Sequence, residues 1–230
     1  MRVDETLGAL FQLTGGGFPT GAFAHSYGLE TFVQAGLVHD VATFGEWLDV
    51  HLSHSAGPTD GAGVALVARA LTAGDWDAVL RIDRLLTALK LAPEVRAASR
   101  STGRSALRAA REIFPGPAVE NYAALLDDGR AWGNAAVVFA CIAADLKIEA
   151  SVSVLAFLWS IASSLTAVAT RLVPLGGIAA QRCLRELGPT VRGAALRAES
   201  AREGDLSASA VAQDIAALRH ARLYTRLCIS

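Results

Sequence analysis

Five histidines and three cysteines hold most of this chain's metal-binding and nucleophilic capacity, and their spacing organises little of it. His51-Leu52-Ser53-His54 sets two imidazoles at i and i+3, a separation that can share one helix face, with His39, Asp49 and Asp60 nearby in sequence. Two imidazoles can grip a metal ion, but a stable site needs a third and a fourth ligand. The pair keeps one alternative open, a small helical metal-dependent hydrolase built on His51 and His54; the plainer reading puts His51 at the core edge and His54 in solvent. Cys141, Cys183 and Cys228 are isolated and odd in number, which suggests neither a disulfide framework nor a CxxC metal site. Gly16 and Gly21 have the glycine spacing of a phosphate-binding loop. Ala22-Phe23 stands where Lys-Ser/Thr is required, so the loop lacks the cation and the hydroxyl that hold phosphate and magnesium. With no Gly-x-Ser-x-Gly elbow and no His-Glu-x-x-His, the sequence offers no catalytic residues and no cofactor site.

Two further sets bear on recognition. Arg96, Arg100, Arg104 and Arg108 recur every four residues, Arg111 follows, and no acid lies between Glu94 and Glu112. On a helix they form a drifting stripe whose like charges repel by a few tenths of a kcal/mol per pair, so it is either a solvated face or a match for carboxylates elsewhere. Near the C-terminus Val211, Ile215 and Leu218 make a helical stripe, and residues 220–227 (His-Ala-Arg-Leu-Tyr-Thr-Arg-Leu) then alternate large apolar and cationic groups. Tyrosine and arginine are the types most enriched at binding hot spots.

The elements that must position these groups read as helices throughout. A short amphipathic helix is expected over residues 3–13, with Leu7, Leu10 and Phe11 on one side, then a glycine turn with Pro19 and Gly21. Helix is predicted over 22–35, ended by Gly36. Thr43-Phe44-Gly45-Glu46 has capping-box spacing ahead of Phe44, Trp47, Leu48, His51 and Leu52 at helical period. Gly57-Pro58 is expected to break the chain before a helix over 60–71. Gly74-Asp75 starts another, and Pro93 suits the first turn of a helix running to about Phe114, stopped by Pro115-Gly116-Pro117. Further helices are predicted over 119–126, 130–146, 151–172, 178–187, 190–203 and 209–227. No alternating strand pattern occurs. The expectation is all-α: a bundle of about ten helices in a single domain, 1–230.

Composition bounds the function class. Apolar residues make up 52% of 230, and the formal net charge is -1, which gives no electrostatic footprint for nucleic acid or an anionic membrane. All but two of the 21 basic residues are arginine, which suits partly desolvated ion pairs at protein interfaces. Between Glu149 and Arg171 no residue is charged, a span long enough for a bilayer. Its seven serines and threonines favour a buried helix of a soluble bundle, with hydroxyls bonding back to their own carbonyls. The first five residues lack the basic-then-apolar run of a leader, so a cytoplasmic protein is expected.

Three separated segments resemble the urease accessory protein UreF family, in that family's order. Residues 18–30 (Phe-Pro-Thr-Gly-Ala-Phe-Ala-His-Ser-Tyr-Gly-Leu-Glu) are similar to its P-x-G-x-aromatic-x-x-S-x-G-L-E entry motif. Arg171-Leu172-Val173-Pro174-Leu175-Gly176, followed by Gln181, is similar to its basic-L-V-P-L-G segment, and residues 220–230 to its H-E-x-x-Y-S-R-L ending. Phe44-x-x-Trp47-Leu48 and Gly103-Arg104 match between them. The resemblance implies an all-α, non-enzymatic scaffold that dimerises, binds UreD (UreH in some species) and recruits the GTPase UreG to deliver nickel to apo-urease. It implies partner-binding roles for Phe23, Tyr27, Arg171, Arg222, Tyr224 and Arg226, and places Glu30 and His220 along a nickel passage. The chain departs from the family pattern at Gly15 to Gly17, at Gly177, and at Cys228, where an aromatic residue is usual.

Overall fold

Helix capping and packing, rather than propensity alone, set the element boundaries seen in the computed structural model of the chain, which describes residues 3–230. Met1 and Arg2, part of the N-terminal run read above, lie outside the described residues. Twelve α-helices follow in order: α1 Val3–Thr14, α2 Leu29–Gln34, α3 Val41–His51, α4 Ala62–Thr72, α5 Trp76–Leu89, α6 Pro93–Ile113, α7 Pro117–Asp127, α8 Ala135–Asp145, α9 Ala150–Leu172, α10 Gly177–Glu186, α11 Gly188–Ser200 and α12 Val211–His220. A 3₁₀ turn spans Ala22–Ala24 and a π-helix spans Leu52–Gly61; among the described residues there is no strand.

The most apolar helix, α8, is buried from Ala136 through Ala143 and lies at the centre, packed against α4, α6, α7 and α9. Helix α9 is the span without charge. It is long and apolar enough to cross a membrane, but half of its most apolar stretch is buried against its neighbours α1, α4, α8, α10 and α11. Its hydroxyls do bond back along the helix, Ser153 to Glu149 O at 2.9 Å and Thr166 to Ala162 O at 2.7 Å. Helix α6 approaches the segment leading into α8 closely. A Cβ placed on Gly103 would fall 2.1 Å from Gly133 O, so only glycine fits.

Several boundaries differ from expectation. The helix expected over 22–35 is broken, because Tyr27 (φ 52°) and Gly28 (φ 89°) both take the left-handed region and turn a sharp corner before α2. Gly28 packs there on α12, where a Cβ would meet Ala217 N at 2.9 Å. The cap of α3 is Asp40, not Thr43: the Asp40 carboxylate accepts from Thr43 N at 2.8 Å while the Thr43 hydroxyl closes the reciprocal side. Gly57-Pro58 does not break the chain, because the wider π-helical turn takes in Pro58 and joins α3 to α4.

Residues 130–134 are not helical, since buried Asp83 draws their N–H groups: Trp132 N at 2.6 Å, Asn134 N at 3.3 Å and Gly133 N at 3.4 Å. The last helix stops at His220, and residues 222–230 run on without helix. On α1, Leu10 and Leu13 are buried, whereas Phe11 and Leu7 face outward.

Candidate functional site

The two ends of the chain form one surface. Gly21 (φ 75°) opens the Ala22–Ala24 turn, with Thr20 Oγ1 accepting from Ala22 N at 3.2 Å. Phe23 at its apex is 60% exposed, and its carbonyl is held by the Arg171 guanidinium from the last turn of α9. Beyond the turn the backbone pairs with the C-terminal segment. Ile229 N donates to Ala24 O at 2.8 Å, and Ser230 O accepts from Ser26 N (2.5 Å) and Ser26 Oγ (2.7 Å). His25 Nδ1 lies 2.9 Å from Ser230 Oγ, 205 positions away in sequence.

The next contact is a charged relay. Glu30, in the first turn of α2 and 2% exposed, accepts Leu227 N at 2.7 Å, Cys228 N at 3.0 Å and His220 Nε2 at 3.0 Å. The opposite ring nitrogen of His220 meets Glu94 at 2.8 Å, and Glu94 also takes the Arg226 guanidinium at 2.8 Å. Both ring nitrogens of His220 are thus engaged by carboxyl groups. Burial pushes the Glu30 carboxyl upward, but the bonds from Leu227, His220 and Cys228 outweigh it and hold it below its ordinary value. Burial, with Glu30 beside it, pushes the Cys228 thiol up to about 11, so at neutral pH it is protonated and a poor nucleophile.

The pinned segment shows the two-residue alternation of extended chain. Cys228 and Ser230 point in; Leu227 and Ile229 point out at 75% and 67% exposure, and Tyr224 is fully exposed. Phe23, Tyr224, Leu227 and Ile229 therefore present apolar area alongside Arg171, Arg222 and Arg226. Helix α12 adds Val211, Ile215 and Leu218, all outward, because its buried face is Gln213, Ala216, Ala217 and His220.

Of the expected site residues, Arg171 bonds to Phe23, Arg226 is tied to Glu94, and Arg222 and Tyr224 are exposed on the C-terminal segment. The Tyr27 ring centroid lies 5.9 Å from that of His51. Glu30 and His220 meet directly, as partners in the relay. Sequence reasoning missed Glu94, Ser26 and Ser230, whose roles arise from contacts more than 120 residues distant; only the position of Glu94 in a helical first turn was visible.

The His51–His54 pair does not form a metal site. His51 is buried, stacked on Trp47 at 5.2 Å, with Nδ1 on Gln213 at 3.0 Å, while His54 is exposed. Among the described residues no group of three or more His, Cys, Asp or Glu side chains is placed to hold a metal ion. The arginine stripe is partly used within the fold. Arg96 caps Lys90 O (2.5 Å) and Leu91 O (2.8 Å), Arg100 lies 5.0 Å over the Trp132 ring, and Arg111 pairs with Glu120, whereas Arg104 and Arg108 are exposed.

The UreF family profile matches residues 38–188. A urease accessory protein UreF of Arthrobacter sp. (strain FB24) is 37% identical over 222 residues, covering 96% of each chain. Those of Lachnoclostridium phytofermentans and Bacillus sp. (strain TB-90) are 32% and 31% identical, over 99% and 96% of this chain and 100% and 98% of their own lengths.

Proposed function

The chain belongs to the UreF family of urease accessory proteins, which are not enzymes, and from that membership we propose that it is a scaffold for nickel loading of urease. In this reading it works in the cytoplasm as a homodimer, binds UreD (UreH), and recruits the GTPase UreG, which supplies nickel to apo-urease. The observation that carries the reading is the joint face made by the entry turn and the C-terminal segment. Aromatic and arginine side chains there are exposed on a backbone fixed by buried hydrogen bonds, the arrangement expected of a preorganised protein-binding surface.

Phe23 is the anchor of that face, and Arg171 orients it through the Phe23 carbonyl. Arg226, tied to Glu94, keeps one edge of its guanidinium for a partner. Tyr224 and Arg222 extend the contact, and Tyr27 supports it from below. Nickel is cargo here. Glu30 and His220 lie on its route only if the relay opens, because both His220 nitrogens already face carboxylates.

Co-expression with UreD and UreG followed by size exclusion tests the proposal. Wild type is expected to elute in a complex containing both partners and two copies of this chain. Phe23→Ala, Arg226→Ala, and truncation after Ala221 should each lower recovery of the partners while the chain stays helical by circular dichroism. Full recovery with all three variants would refute the assignment of this face.

A further inference from the structure

We propose that the partly open pocket between the entry turn, the π-helix, α6, α8 and α9 is a binding site for a small neutral amphiphile of about ten heavy atoms. The pocket holds ≈ 290 Å³, about twice an engineered apolar cavity of about 150 Å³ that takes up benzene. Phe139 and Phe157, 5.1 Å apart, form part of its apolar wall.

One polar group in that wall has no partner. Thr102 is 8% exposed, lines the cavity, and its Oγ1 makes no hydrogen bond. Other helical threonines in this chain bond back to the carbonyl four residues earlier: Thr14 to Leu10 at 2.8 Å, Thr87 to Asp83 at 3.0 Å, Thr166 to Ala162 at 2.7 Å. A buried hydroxyl left unpaired carries its desolvation cost unless something in the cavity bonds to it. A guest with one hydroxyl or carbonyl and an apolar body meets both features.

The charges of the lining disfavour an anionic guest. Lys90 is neutralised by Asp60 at 2.8 Å, with the two side chains 7% and 19% exposed. Burial holds His25 and His51 below the ordinary histidine range, hence uncharged at neutral pH. Asp214, half-buried, is the remaining lining carboxylate. An anionic guest would therefore lose its hydration without gaining a free counter-ion.

The test uses benzyl alcohol and its hydrocarbon counterpart ethylbenzene on the full chain, followed by calorimetry and thermal unfolding. Benzyl alcohol should bind saturably and raise Tm by about 4 °C at ten times its Kd. Thr102→Val, nearly isosteric, should weaken benzyl alcohol about five- to tenfold and leave ethylbenzene unchanged or tighter. Ala106→Leu, which fills the cavity from α6, should abolish both; if that variant fails to fold, the Thr102→Val comparison decides alone. Hexanoate should bind at least tenfold more weakly than benzyl alcohol. The proposal is overturned if neither neutral probe saturates, as for a cavity holding water only. It is equally overturned if Thr102→Val leaves benzyl alcohol unaffected, or if hexanoate matches it.

Discussion

Glu30→Ala separates the stability of the bundle from the docking of its C-terminal segment. The carboxylate accepts three hydrogen bonds, from Leu227 N, Cys228 N and His220 Nε2. Hydrogen bonds to charged groups contribute about 1.5–3 kcal/mol each, giving a gross loss of about 5–9 kcal/mol if nothing relaxes. Two of the three donors can relax, since Leu227 and Cys228 sit on a segment without helix that can peel into water and regain its hydrogen bonds there. His220 cannot: it is fully buried on α12, and it keeps Glu94 as a partner. The global cost is therefore about 2 kcal/mol, and the rest appears as undocking of residues 222–230. Hydrogen exchange by mass spectrometry should show amide protection at 227–230 falling at least about 30-fold, the equivalent of about 2 kcal/mol, while α8 keeps its protection relative to the new global stability. Unchanged exchange at Leu227 and Cys228, with a stability loss below about 0.5 kcal/mol by urea titration, would refute the relay as the clamp.

Further outcomes follow from other buried contacts. Gly103→Ala drives a methyl group into Gly133 O at the α6–α8 contact and should cost about 3 kcal/mol or more, read as a lowered urea midpoint at constant m. Asp83→Ala leaves the Tyr122 hydroxyl and Trp132 N without their acceptor and removes one of the acceptors of the Asn134 amide, so a loss of about 3–5 kcal/mol is expected; a Tm within 2 °C of wild type would contradict it. His51 has its folded value lowered by burial, against smaller upward pulls from Gln213 and Asp60, so below its ordinary 6.5 the unfolded chain takes a proton that the folded chain refuses. Its contribution therefore diminishes as pH falls from about 6.5, and wild type should lose stability relative to His51→Gln between pH 7.5 and 5.5 in parallel urea titrations. A constant difference across that range would show His51 to be accessible to protons in the fold.

Much of the architecture was legible because the signals were local. Asp75 and Pro93 mark helix starts by capping and by ring geometry, and the apolar period of Phe44, Trp47, Leu48 and His51 gave the buried face of α3. What escaped depends on distant partners. Residues 130–134 looked helical until Asp83, nearly fifty positions earlier, drew off their N–H groups. Residues 221–227 looked like the end of a helix, yet Glu30 and Ser26 hold the last residues of the chain in an extended path. The π-helix escaped for another reason: Gly57-Pro58 is a break signal for α-helix, and sequence periodicity does not show that a wider turn can take in the proline. The same distinction explains the site. Its outward residues lie in motifs readable in sequence, while Glu94, which ties Arg226 to His220, carries no sequence mark of that role.

The most direct measurement is the nickel content of urease purified from cells that carry urease, UreD and UreG, with and without this chain. The scaffold account predicts nickel-replete, active urease with wild type, and mostly apo-urease without the chain or with the Phe23→Ala/Arg226→Ala double variant. Equal nickel occupancy in all three would contradict it.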